Sequence, residues 1–123
     1  MSTKIRVMLA DDHVVVRQGL SALLESQSDI EIVGEAADGL EAVALARRCS
    51  PDVILMDINM PKMNGLEATR IISTELPRTR IIGLSINDDA ETIAAMQAAG
   101  AATHVGKDCG SCTLLTVIRS CTP

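Results

Sequence analysis

Asp11 and Asp12 follow the apolar run from Ile5 to Ala10, Asp57 closes the run from Val53 to Met56, and Lys107 follows the run from Ala101 to Val105. If those runs are parallel strands, all four charges meet in one crevice, because open parallel sheets bind ligands outside the carboxyl ends of their strands. Two carboxylates about 4 Å apart repel by roughly 4 kcal/mol at the effective dielectric near a protein surface, so the cluster calls for a cation. All-oxygen donors suit Mg²⁺, which takes one or two carboxylates and fills its shell with waters and phosphate oxygens. Asp57 can then serve as nucleophile, since carboxylates form acyl phosphates, with Lys107 and the metal offsetting charge on the transferred group. Ser85, which ends the run from Ile81 to Leu84, is placed to hydrogen-bond a phosphoryl oxygen. Backbone N–H groups after Asp57 offer further donors. Neither GxxxxGK[ST] nor GxGxxG occurs, so nothing resembles a nucleotide site.

Positioning those side chains requires strands that alternate with helices, and the hydrophobic pattern supplies five such units. Ile5 to Ala10 leads into a helix whose Val16, Leu20, Leu23 and Leu24 share a face. Ile30 to Ala36 carries Glu31 and Glu35 and reads as an edge strand. Asp38-Gly39 is a turn and helix-cap signal, after which Leu40, Val43 and Ala44 form a short apolar stripe. Val53 to Met56 is the most continuous apolar strand and belongs in the middle of the sheet. Asn64, with Glu67 three residues on, is close to a capping box for a helix that buries Ala68, Ile71, Ile72 and Leu76 and ends at Pro77. Ile81 to Leu84 is strand four, and an aspartate at 88 or 89 caps the next helix, about Ala90 to Ala99. Its large apolar residues are only Ile93 and Met96, so it is expected to be the least firmly packed helix and the easiest to shift. Gly100 stops it, Ala101 to Val105 is the fifth strand, and Leu114, Val117, Ile118 and Cys121 line a last helix.

Composition agrees with one ordered domain. The 123 residues are 47% hydrophobic and 22% charged, with no Phe, Tyr or Trp, so the core must be aliphatic, as suits helices laid on a parallel sheet. A formal net charge of -5 argues against direct, non-specific nucleic-acid binding. The N-terminus lacks the apolar segment of a signal peptide and no run reaches membrane-spanning length, so a cytoplasmic location and no membrane partner are expected. Cys109 and Cys112 have the spacing of a redox pair or metal clip. Their late position and the scarcity of further ligands, with His13 and His104 the only histidines, favour small residues opening the last helix.

Taken in order, Asp11-Asp12 after a strand, Ile54-Leu55-Met56-Asp57-Ile58-Asn59-Met60-Pro61-Lys62-Met63-Asn64-Gly65, Leu84-Ser85 and Gly100 to Asp108 resemble the CheY-like receiver domains of two-component response regulators. The resemblance spans nearly the whole chain. It implies a three-layer, doubly wound (βα)5 flavodoxin-like fold, its parallel five-stranded sheet in the order 2-1-3-4-5. It implies that Asp57 accepts phosphate from a sensor histidine kinase, that Asp12, Asp57 and the Asn59 carbonyl bind Mg²⁺, and that Asp11 assists through water. Ser85 and Lys107 would sense the phosphate, while Asn59 and Asn87 occupy positions that tune dephosphorylation. Asp12-His13, Val16-Arg17, Leu20 and Lys107-Asp108 look most like the branch fused to a LuxR-type helix-turn-helix. Residues 1–121 would then be the receiver and 122–123 the start of a linker, with the output domain absent and DNA reached only through it. Phosphorylation is expected to shift the face formed by helix four, strand five and helix five, and to promote a homodimer. One departure stands out: the fifth-strand position that relatives fill with Tyr or Phe, the aromatic that changes rotamer on activation, is His104 here.

Two other classes compete. A haloacid-dehalogenase-like phosphatase also uses an aspartate after a strand and Mg²⁺, but needs an acid two residues on, where this chain has Asn59. A flavin-binding module on the same fold lacks any aromatic to stack on the ring. The expectation is therefore a phospho-acceptor with autophosphorylation and autodephosphorylation chemistry, not an enzyme.

Overall fold

The computed structural model describes residues 4–85, 90–106 and 110–121. Strands and helices alternate in five units: β1 (Ile5–Ala10), α1 (Val14–Glu25), β2 (Ile30–Ala36), α2 (Gly39–Cys49), β3 (Val53–Asp57), α3 (Gly65–Glu75), β4 (Arg80–Ser85), α4 (Ala90–Ala99), β5 (Thr103–Gly106) and α5 (Ser111–Cys121). The strands form one parallel sheet in the order β2-β1-β3-β4-β5. This is the doubly wound flavodoxin-like arrangement expected from the sequence.

Strand residues alternate between two aliphatic layers, as the pleat requires. Met8, Ala10, Ile54, Met56 and Ile81 point into a core completed by Ala42, Val43 and Ala46 of α2, Ala68 and Ile72 of α3, and Met96 of α4. Val7, Leu9, Val53, Leu55, Ile82 and Leu84 point the other way, against Leu24 of α1 and Leu114 and Ile118 of α5. Central β3 is buried along its whole length, while edge β2 exposes Glu31 and Glu35.

Two helix starts follow from local chemistry. Asp38 accepts from the amide of Glu41 at 2.8 Å to open α2, and Asn64 accepts from the amide of Glu67 at 2.9 Å to open α3. The capping aspartate expected before α4 lies outside the described residues.

Two expectations need correction. The buried stripe of α2 is Ala42, Val43 and Ala46, whereas Leu40 is 52% exposed and Ala44 is exposed. Close approach to the sheet selects small residues there; half-buried Leu45 packs over Gly34 of β2, where a Cβ would come within 2.5 Å of its side-chain tip. β5 begins at Thr103 rather than Ala101. Gly100, at φ 122, turns the chain, and the Ala101 amide is spent on the Met96 carbonyl at 2.9 Å, closing α4 instead of opening a strand. α4 buries Met96 and Ala99, while α1 buries Leu24 and packs Leu20 and Leu23 against the same core.

Candidate functional site

The register brings the expected residues into one row at the carboxyl end of the sheet. Ala10 pairs with Met56, so Asp11 comes level with Asp57; Asp57 pairs with Leu84, and Ser85 with Gly106. Asp11 and Asp57 are each 1% exposed, and Asp12 lies nearer solvent. Ligand atoms of Asp11, Asp12, His13 and Asp57 all lie within 4.8 Å of one another. Two buried carboxylates this close to each other and to a third are costly without a compensating charge. The oxygen-rich donor set fits the Mg²⁺ expected from the sequence.

The connection after β3 is built around Asp57. The Asn59 amide donates to Asp57 Oδ1 at 3.3 Å, the Ile58 amide to the Leu84 carbonyl at 3.3 Å, and the Gly65 amide back to the Ile58 carbonyl at 2.8 Å. A Cβ on Gly65 would collide with the carbonyl oxygen of Asp57, so only glycine lets α3 begin so close to the acceptor. Lys62, at φ 67, sets its ammonium 3.7 Å from Asp38 Oδ2, linking this loop to the start of α2.

Ser85 is buried, and its Oγ lies 2.8 Å from His104 Nε2. The ring packs over Gly83, where a Cβ would come within 2.8 Å of His104 Nδ1 and 3.2 Å of the Met96 methyl. Strand four, strand five and α4 thus meet at His104, with β4 between it and Asp57 of β3. Lys107 and Asn87 lie outside the described residues.

Two residues join the site without having been expected there. His13, the N-cap of α1, donates its amide to Asp11 Oδ1 at 2.8 Å and brings its Nδ1 to 3.0 Å from the same oxygen. Arg17, one turn later, donates from Nη1 to the Asp11 carbonyl at 2.6 Å and pairs through Nε with Glu35 of β2 at 3.2 Å. The signal was available in the i, i+4 spacing of two basic side chains directly after an acidic pair.

The response regulator receiver domain family model matches residues 7–119. The transcriptional regulatory protein LiaR of Bacillus subtilis is 47% identical over 116 residues, covering 94% of this chain and 55% of LiaR. The chain therefore spans about half the length of that relative. Among solved structures, a LuxR-family two-component response regulator from an Aurantimonas species superposes with a TM-score of 0.90 at 34% identity, covering 96% of this chain and 84% of that one. CheY from Borrelia burgdorferi, solved in a complex with CheX, BeF3 and Mg²⁺, superposes with a TM-score of 0.89 at 27% identity, covering 96% and 89%.

Proposed function

The chain belongs to the response regulator receiver domain family, in its LuxR-type branch, and from that premise we propose that it is a switch thrown by phosphorylation of Asp57. The observation that carries the proposal is the convergence of the Asp11, Asp12 and Asp57 carboxylates at adjoining strand ends. A carboxylate oxygen of Asp57 attacks the phosphorus of a phosphohistidine on a sensor kinase. The P–N bond breaks, and its electron pair returns to the kinase imidazole, which takes up a proton. Asp12, Asp57 and the Asn59 carbonyl would hold Mg²⁺, with Asp11 acting through water. When bound, the metal supplies positive charge beside the transferred oxygens. The Asn59 amide, already on Asp57 Oδ1, holds the acceptor in one orientation.

Ser85 and Lys107 would then read the product. The hydrogen bond between Ser85 and His104 supports His104 as the residue through which the event reaches α4, β5 and α5. Asn59 and Asn87 would set the lifetime of the acyl phosphate. Relatives about twice as long are named as transcriptional regulators, so the receiver would control a DNA-binding region of the full-length protein, through a homodimer formed on phosphorylation. Among the described residues no helix is long and apolar enough to cross a membrane, in keeping with a cytoplasmic switch. The phosphatase alternative has no support: the residue two past Asp57 is Asn59, which cannot act as a general acid.

Acetyl phosphate with Mg²⁺ tests the reading by intact mass. One phosphoryl adduct is expected, absent in Asp57→Asn and without added metal. An equal adduct on Asp57→Asn would overturn the assignment.

A further inference from the structure

His13 sets a nitrogen donor among carboxylates whose expected cation prefers oxygen. Its Nδ1 lies 3.0 Å from Asp11 Oδ1, 3.3 Å from Asp12 Oδ1 and 3.8 Å from Asp57 Oδ2. An octahedral shell with metal–donor distances of about 2.1 Å puts neighbouring donors about 3.0 Å apart and opposite donors about 4.2 Å apart. The separations from the two carboxylates that would hold the ion, Asp12 and Asp57, fall within that span. We propose that His13 Nδ1 is a further protein ligand of the divalent-cation site, and that it biases the site toward nitrogen-accepting divalent cations such as Co²⁺, Ni²⁺ or Zn²⁺ over Mg²⁺.

The inference rests on the cation-site reading above, and adds to it a ligand and a selectivity. The backbone fixes the ring's position: the His13 amide is bound to Asp11 Oδ1, and its carbonyl accepts the Arg17 amide at 2.9 Å, so His13 is held at the first turn of α1. Arg17 in turn holds the Asp11 carbonyl, so acid and imidazole are set by one local unit. The half-exposed ring leaves the site open to solvent on that side. Imidazole ligation gains affinity along the series from Mn²⁺ to Cu²⁺, whereas Mg²⁺ keeps waters and carboxylates, so the nitrogen serves one class of ion and not the other. Ligation through Nδ1 needs the neutral ring with its proton on Nε2, so the 3.0 Å contact with Asp11 Oδ1 must give way when the cation enters.

The experiment is a pair of calorimetric titrations, with CoCl2 and with MgCl2, on the wild-type chain, His13→Ala and Asp12→Ala, together with the visible spectrum of the Co²⁺-loaded proteins. Wild type is expected to bind Co²⁺ more tightly than Mg²⁺. His13→Ala should weaken Co²⁺ by about tenfold or more and alter its d–d bands, while changing Mg²⁺ affinity less than about twofold. Retained Mg²⁺ binding shows that the variant is folded. Equal weakening of both ions, an unchanged Co²⁺ spectrum, or tighter binding of both, which would make the ring an occupant that cations displace, overturns the inference. If Mg²⁺ binds wild type and is lost in Asp12→Ala while His13→Ala leaves Co²⁺ unaffected, the cation site stands and only the ligand assignment fails. If neither ion binds wild type, the cation-site reading itself has failed.

Discussion

Ser85 faces two demands on one hydroxyl. It lies 2.8 Å from His104 Nε2, and a phosphoryl group on Asp57 would call for the same O–H. A serine hydroxyl has one proton to donate, so it cannot give it to both. Where the hydroxyl donates to Nε2, phosphorylation must break that bond or reverse it; where Nε2–H already donates, the hydroxyl can accept from the ring and give its proton to the phosphoryl group. A hydrogen bond to a charged group contributes about 1.5–3 kcal/mol, so Ser85→Ala should slow acetyl phosphate labelling by about 10- to 100-fold. His104→Phe, which removes the ring nitrogen from that hydroxyl, should not slow it. Time courses by intact mass decide the point, and wild-type labelling of Ser85→Ala would remove Ser85 from the site. Residue types and spacing made Asp11, Asp12, Asp57 and Ser85 legible in the sequence, because each ends an apolar run. His13 was not placed among them, although its i, i+4 spacing with Arg17 behind the acidic pair was visible; only the first turn of α1 shows that the ring swings back over the carboxylates.

Two bidentate arginine pairs tie helices to neighbouring elements at the surface. Arg119 near the end of α5 reaches Asp29 at 2.8 and 2.9 Å, in the turn between α1 and β2, and Arg47 of α2 reaches Glu75 of α3 at 2.7 Å through both nitrogens. The hydrogen bond from Arg119, ahead of its Coulombic attraction, holds the Asp29 carboxyl below its ordinary value. A carboxylate depressed by folding adds stability above its unfolded pKa, and that stability is lost as pH falls through the folded value. Arg119→Gln should therefore raise the Asp29 pKa, seen by NMR titration. The stability gap from wild type should close as the solution is acidified below the carboxylate range, and narrow in salt because the pair is exposed. A gap that persists at low pH would assign the effect to packing of the arginine stem. Element order and most boundaries could be read from hydrophobic period. The face of α2 could not, since whether alanine or leucine is buried depends on how near the helix sits to the sheet, which its own sequence does not state.

Across the whole molecule, the sheet is stabilised by two aliphatic layers and strained at one end by its own function. Val7, Leu9, Val53 and Leu55 face one layer and Met8, Ala10, Ile54 and Met56 the other, and both stacks terminate at the acidic cluster. Carboxylates within 4.8 Å of one another oppose the packing that brings them together. Replacing Asp12 or Asp57 by Asn keeps the shape and removes one charge. In EDTA each variant should be more stable than wild type, by up to about 4 kcal/mol for a close pair at the surface dielectric. Added Mg²⁺ should then stabilise wild type by RT ln(1 + [Mg²⁺]/Kd), about 1.4 kcal/mol for each tenfold rise above Kd, and should do little for either variant. Thermal and urea melts with and without Mg²⁺ measure both halves. Variants less stable than wild type in EDTA would mean that hydrogen bonds to these carboxylates outweigh their repulsion. A Mg²⁺ response retained in both would place the ion elsewhere.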